Sequence, residues 1–168
     1  MKNTFGKLFL IPTIIGENSH AELPTYNQDV LNKIDVFIVE EIRTARRFLV
    51  ANNCKHLIDK CIFHEFNEHS ENHNISQILL PALDGKNIGL MSEAGLPCIA
   101  DPGEDIVLEA HRMNITVVPL VGPSSIFLAL MASGLNGEKF IFHGYLPVEP
   151  LSRDKFLISI SNDAVKNK

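Results

Sequence analysis

Apolar residues in this chain fall in short unbroken runs, separated by longer amphipathic or polar stretches. The runs at residues 8–11, 36–39, 61–63, 88–91 and 116–120 predict five strands, and residues 140–142 a sixth. Runs without alternation predict strands covered on both faces, hence a mostly parallel sheet. Helices fit between them. One runs from Asn27, as its cap, to near Ile34; others cover residues 43–51 and 74–83. Asp101 as N-cap with Pro102 at the first helical position predicts a fourth, and residues 124–132 a fifth, closed by Gly134. This alternation defines an α/β fold, a sheet sandwiched by helices. We expect an N-terminal α/β domain over residues 1–120. Residues 121–168 are expected to form a linker helix and the first part of an incomplete C-terminal domain, with the polar stretch after Pro147 starting a further element.

Composition narrows the function classes. The chain has 168 residues, 45% of them apolar, which is enough for a sizeable core. It carries 15 Lys+Arg against 20 Asp+Glu, a net charge of −5. That excludes a strongly basic nucleic-acid binder but permits a local basic patch. Cys54, Cys61 and Cys98 form neither a disulfide framework nor a zinc knuckle, which points to a reducing compartment. No apolar run approaches the roughly 20 residues of a membrane span. Lys2, Lys7 and the apolar residues after them mimic a short signal sequence, but Pro12 and Gly16 interrupt it. A first strand in a cytoplasmic protein, without a membrane partner, is the expectation.

The chemistry lies where the predicted strands end. Strand one runs into Pro12-Thr13-Ile14-Ile15-Gly16 and strand two into Glu40-Glu41-Ile42-Arg43-Thr44. Strand three runs into His64-Glu65-Phe66-Asn67-Glu68, and strand four into Ser92-Glu93-Ala94-Gly95-Leu96-Pro97 and then Asp101-Pro102-Gly103. Strand five runs into Val121-Gly122-Pro123-Ser124-Ser125. In an open parallel sheet these turns share one edge, where ligands bind. The fourth turn is the strongest, a rigid loop whose glycines permit close backbone approach. Asp101 there is either an N-cap or a functional carboxylate. No G-x-G-x-x-G or Walker A pattern is present, so neither a dinucleotide nor an NTP site is signalled. His64, His69 and His73 with Glu65, Glu68 and Glu71 lack metal-site spacing and read as a polar loop, so no metal is expected. Arg43, Arg46 and Arg47 share one helix face, as a solvated surface or a phosphate patch.

Read in order, these turns resemble the tetrapyrrole methylase superfamily, and within it the ribosomal RNA small-subunit methyltransferase I family. That family's S-D-A-G-T-P-x-x-S-D-P-G is matched by Ser92-Glu93-Ala94-Gly95-Leu96-Pro97-Cys98-Ile99-Ala100-Asp101-Pro102-Gly103. Its V-P-L-P-G-P-S-A is matched by Val118-Pro119-Leu120-Val121-Gly122-Pro123-Ser124-Ser125. Its A-E-D-T-R-T-T-R-R-L-L is similar to residues 39–49, its Y-H-E-H-N-E to residues 63–68, and its F-x-G-F-L-P to residues 142–147. The first loop departs from the family's P-T-P-I-G-N-L by losing the second proline, and Glu93 stands where the family has aspartate.

The resemblance implies S-adenosylmethionine as cofactor and methylation of a ribose 2′-oxygen in RNA of the small ribosomal subunit. It implies cofactor contacts from Pro12, Ser92, Glu93, Ala94, Gly95, Asp101, Gly122, Ser124 and Ser125. The general base would come from Asp101, Glu40 or His64. Arg43, Arg46 and Arg47 would hold RNA phosphates, with Arg46 and Arg47 too far along their helix to touch the fourth turn. A second α/β domain follows in the family, so this chain is expected to be a first domain with a stub of the second, weakly active alone and self-associating as a homodimer. A small-molecule methyltransferase and a non-catalytic cofactor-binding module are the alternatives.

Overall fold

The computed structural model describes residues 5–16, 23–67 and 74–166. Five strands form one sheet: β1 (Lys7–Ile11), β2 (Val36–Val39), β3 (Ile62–Glu65), β4 (Ile88–Met91) and β5 (Thr116–Pro119). Their order is β3-β2-β4-β1-β5 and every pairing is parallel. The turns at the strands' carboxyl ends therefore share one edge, as the sequence pattern requires.

The unbroken apolar runs are explained by the two faces of the sheet. Phe37 and Val39 of β2 enter one core cluster, while Val36 and Ile38 enter the other. Helices α1 (Thr25–Leu31) and α2 (Ile42–Ala51) cover the first face with Val30, Leu31, Phe48 and Leu49. After the short α3 (Leu57–Lys60), helices α4 (Ile75–Leu83) and α5 (Glu104–Arg112) cover the second with Ile78, Leu79, Ile106 and Ala110. Every residue of β2 and β4 is buried, so a polar substitution in either strand has no solvated side to turn to.

Three expectations are corrected. Asn27 does not cap α1: Pro24 holds that position, and the buried Asn27 amide donates to Val121 O at 2.9 Å. Asp101 does not cap α5, whose N-cap is Gly103; its carboxylate turns back into the preceding loop. Residues 140–142 form no strand, because Phe140, Ile141 and Phe142 are exposed and no strand pairs with them among the described residues.

By its contacts the chain divides into two compact units, Met1–Ala129 and Leu130–Lys168. The first holds the whole sheet. The division falls within α6 (Ser125–Ala132), and in the second unit an irregular stretch leads to α7 (Pro150–Lys166). Its start is set by Glu149, whose carboxylate accepts from Leu151 N at 3.0 Å and Ser152 N at 2.6 Å, with Pro150 at the position that needs no donor. Within this unit the His143 ring meets Phe156 edge-on at 5.8 Å.

Candidate active site at the carboxyl edge of the sheet

The loop after β4 is held in shape by its own polar groups. Ser92 Oγ donates to Gly95 O at 3.0 Å, and Thr13 N of the first loop donates to the same oxygen at 2.9 Å. Gly95 has φ +76°, a left-handed conformation that glycine adopts without strain. Two side-chain-bearing residues of the loop, Cys98 and Ala100, share that region at φ +66° and +57°. The Asp101 carboxylate braces this unusual path, accepting from Gly103 N at 3.1 Å and Cys98 N at 3.4 Å.

Asp101 also meets Glu40, which lies just past β2. Glu40 Oε1 accepts from Glu93 N at 3.1 Å, and the Asp101 side chain is near enough to act on the Glu40 carboxyl. Partial burial pushes the Glu40 carboxyl up to about 7, helped by Asp101, while the Glu93 N–H opposes the rise. Glu93 is raised as well, chiefly by desolvation, with Thr44 and Arg47 pulling the other way and the Glu41 charge adding to the rise. The Cys98 thiol is pushed up to about 11 by burial and by the charges of Asp101 and Glu104, so it is not a nucleophile near neutrality.

These shifts have a consequence for stability. A carboxyl whose pKa is higher folded than unfolded stabilises the fold while protonated and loses that contribution as it ionises. Between pH 4.5 and about 7, ionisation of Glu40 therefore weakens the protein. Glu40→Gln is expected to flatten this part of the stability curve, leaving the smaller slope from Glu93. Urea midpoints measured across that range check it; equal slopes for the two proteins would contradict the raised Glu40 carboxyl.

The fifth turn is packed onto the first loop. A Cβ on Gly122 would lie 2.2 Å from Pro12 Cβ and 2.4 Å from its Cγ, so only glycine allows this approach. Val121 O is tied to Asn27, a link across the fold that no local sequence signal announces. Beyond it, Ser124 is half-buried and Ser125 exposed at the start of α6.

A cavity of about 260 Å³ opens beside these loops, with Thr13, Arg47, Phe48, Met91, Ser92 and Glu93 in its lining. A wider groove of about 690 Å³ runs along the outer face of α2, past Arg43, Arg46, Arg47 and Glu65. Arg46 stacks its guanidinium over Phe63, 5.7 Å from the ring centre. Glu65 Oε1 accepts from Ile42 N at 3.1 Å and so holds the first turn of α2. Arg47 lines both spaces and feels the Glu93 charge. The expectation that Arg46 and Arg47 stand clear of the fourth turn thus fails for Arg47: one helical turn past Arg43 and Thr44 swings it towards β4.

The structure brings Glu40, Glu93, Asp101 and Arg47 together. His64 sits on the edge strand β3, opposite Ile38, and lines neither space. His69, His73, Glu68 and Glu71 lie outside the described residues. No group of three or more potential metal ligands is found among the described residues. No helix there is long and apolar enough to cross a membrane.

An all-parallel α/β sheet with a carboxyl pair and an arginine-bearing helix at its carboxyl edge has the architecture of an α/β ligand-binding enzyme domain. The comparisons name the kind. No family model matches the chain. A Vibrio cholerae protein named ribosomal RNA small subunit methyltransferase I is 33% identical over 154 residues, covering 92% of this chain and 51% of that protein. Proteins of the same name from Bacillus subtilis (34% identical, 93% of this chain, 51% of the relative) and Thermotoga maritima (36%, 84% and 61%) are similar. The chain is a relative of the ribosomal RNA small subunit methyltransferase I family, and it spans about half the length of the curated relatives it matches.

Proposed function

We propose that the protein containing this chain transfers a methyl group from S-adenosylmethionine to a ribose 2′-oxygen in RNA of the small ribosomal subunit. The observation that carries this reading is the Glu40–Asp101 carboxyl pair, set beside an arginine-flanked groove in a chain whose relatives bear the name of rRNA methyltransferases. Fit to the cofactor is supported by two loops that bring main chain close to a ligand, at Gly95 and Gly122. Free hydroxyl capacity at Ser124 and Ser125 adds to it, since the N-terminus of α6 favours a carboxylate. When bound, the cofactor supplies an electrophilic methyl group on a sulfonium.

The chain's own residues supply alignment and a proton acceptor. Ser92, Ala94 and Gly95 would bind the cofactor through the fourth turn, with Pro12 and Gly122 fixing the adjacent wall. Holding the two reactants in line contributes about 7–11 kcal/mol of the barrier. Glu40, once ionised, takes the proton as the 2′-O–H bond breaks. The oxygen so deprotonated would be free to take the methyl group that the cofactor supplies, the sulfonium leaving as a neutral thioether. Arg43 and Arg46, on the outer face of α2, hold backbone phosphates, the usual way RNA is gripped.

The test offers the full-length protein labelled cofactor with small ribosomal subunits, free RNA and a panel of tetrapyrroles. Label in the ribose of RNA is the expected result; label only in a tetrapyrrole overturns the reading. The double variant Arg43→Gln/Arg46→Gln should weaken RNA binding and make its logarithmic salt slope shallower by about 1.4, from roughly 0.7 for each lost contact to a single strand. Calorimetry should find its cofactor affinity unchanged.

A further inference from the structure

One buried polar group has no role in the chemistry above. Thr13 is only 4% exposed, and its Oγ1 has no hydrogen-bond partner among the described residues. An unsatisfied buried hydroxyl destabilises a fold, so natural proteins keep few of them. This one belongs to a residue of the 260 Å³ cavity, and its main chain is fixed there by the bond to Gly95 O. Around it the cavity combines an apolar wall of Phe48 and Met91 with Arg47, a pure donor, and Glu93, an acceptor when ionised. The Ser92 hydroxyl proton is already committed to Gly95. Thr13 can both donate and accept. An apolar wall with a mixed donor–acceptor edge suits a flat heterocycle. The volume lies just below the roughly 300–1,000 Å³ of pockets for whole drug-sized ligands, and so suits one nucleobase rather than a strand. Glu40 stands at the rim, through its bond to Glu93 N, while Gly122, Ser124 and Ser125 are absent from the lining.

We propose that this cavity receives the base of the target nucleotide, turned out of the RNA, and that Thr13 Oγ1 hydrogen-bonds its edge. The inference rests on the RNA methyltransferase reading and adds to it the place and the positioning residue for the base. Enzymes that modify one nucleotide gain access by unstacking it, and RNA is read most readily through such splayed bases. With the base seated, its ribose lies at the mouth, towards the carboxyl pair.

Thr13→Val keeps the shape and removes the hydroxyl. In the full-length protein its Tm should rise by about 2–6 °C, because a buried orphan is gone. Its KM for RNA should rise roughly 2- to 12-fold with kcat nearly unchanged, as for a contact made equally in ground and transition states. Cofactor affinity by calorimetry should stay as in the wild type, and Thr13→Ser should restore KM. An unchanged KM, or a loss of cofactor affinity instead, overturns the proposal while leaving RNA methylation standing. A wild-type measurement needs no variant to fold. RNA carrying 2-aminopurine at the target position should brighten on binding, and a signal that stays quenched in an active complex also overturns it. Absence of any RNA methylation by the wild type removes the underlying reading itself.

Discussion

On the proposed methyl-transfer reading, Glu40→Gln is expected to lower kcat by about 10²- to 10⁴-fold, the usual contribution of a positioned general base. The amide keeps the size of the side chain and can still accept from Glu93 N, so cofactor binding survives. In the wild type the rate is expected to rise with pH through about 7, as Glu40 loses its proton, and to be level above it. Asp101→Asn separates the roles of the two carboxyls. It removes the negative charge that helps raise Glu40, so the acid limb of the profile is expected to move to lower pH while a measurable rate remains. A fully active Glu40→Gln, or an Asp101→Asn enzyme whose acid limb stays in place, would assign the proton to another group.

Gly122→Val has the second large effect, and it acts on binding. Its Cβ would fall within 2.4 Å of two atoms of the Pro12 ring, which cannot rotate away. Either the first loop or the fifth turn has to move, and both border the proposed cofactor place. The expected cost is about 1–3 kcal/mol of stability, as for overpacking elsewhere, together with loss of cofactor binding. Calorimetry and a urea melt on the same sample separate the two. A variant that binds S-adenosylmethionine normally would show that the packing of Gly122 on Pro12 has no part in cofactor recognition. At Gly95 the obstacle differs: a Cβ would meet Ile15 at 3.2 Å, a milder contact, but the backbone itself sits where side chains are strained.

The strands were legible because burial on both faces leaves a plain mark: four consecutive apolar residues in β2 and an apolar run broken only by Gly89 in β4. The edge that carries the candidate site was legible for the same reason, since parallel strands put all their exits on one edge. What could not be read was which exits touch. Asp-Pro-Gly has the spacing of a helix start, yet left-handed residues at Cys98 and Ala100 turn the Asp101 carboxylate back towards the loop and Glu40. Arg47 differs from Arg46 by one position on α2, and that step separates a guanidinium resting on Phe63 from one reaching β4. Residues 140–142 show the opposite failure. Their composition is that of a strand, but a strand exists only where a neighbour supplies the other half of its hydrogen bonds. The link from Asn27 to Val121 was hidden too, because a polar residue at a helix start is most simply read as a cap.

The Gly95 carbonyl oxygen accepts from both Ser92 Oγ and Thr13 N. Two loops that belong to different strands are thereby hinged on one atom. A ligand that draws the fourth turn inward tightens the first loop with it, and a ligand seated on the first loop stiffens the fourth turn. Thermodynamic reciprocity then sets a rule for any two ligands bound on either side: the factor by which the first raises the affinity of the second equals the factor by which the second raises the first. The joint makes the order of arrival a matter of kinetics and the final coupling a property of the protein.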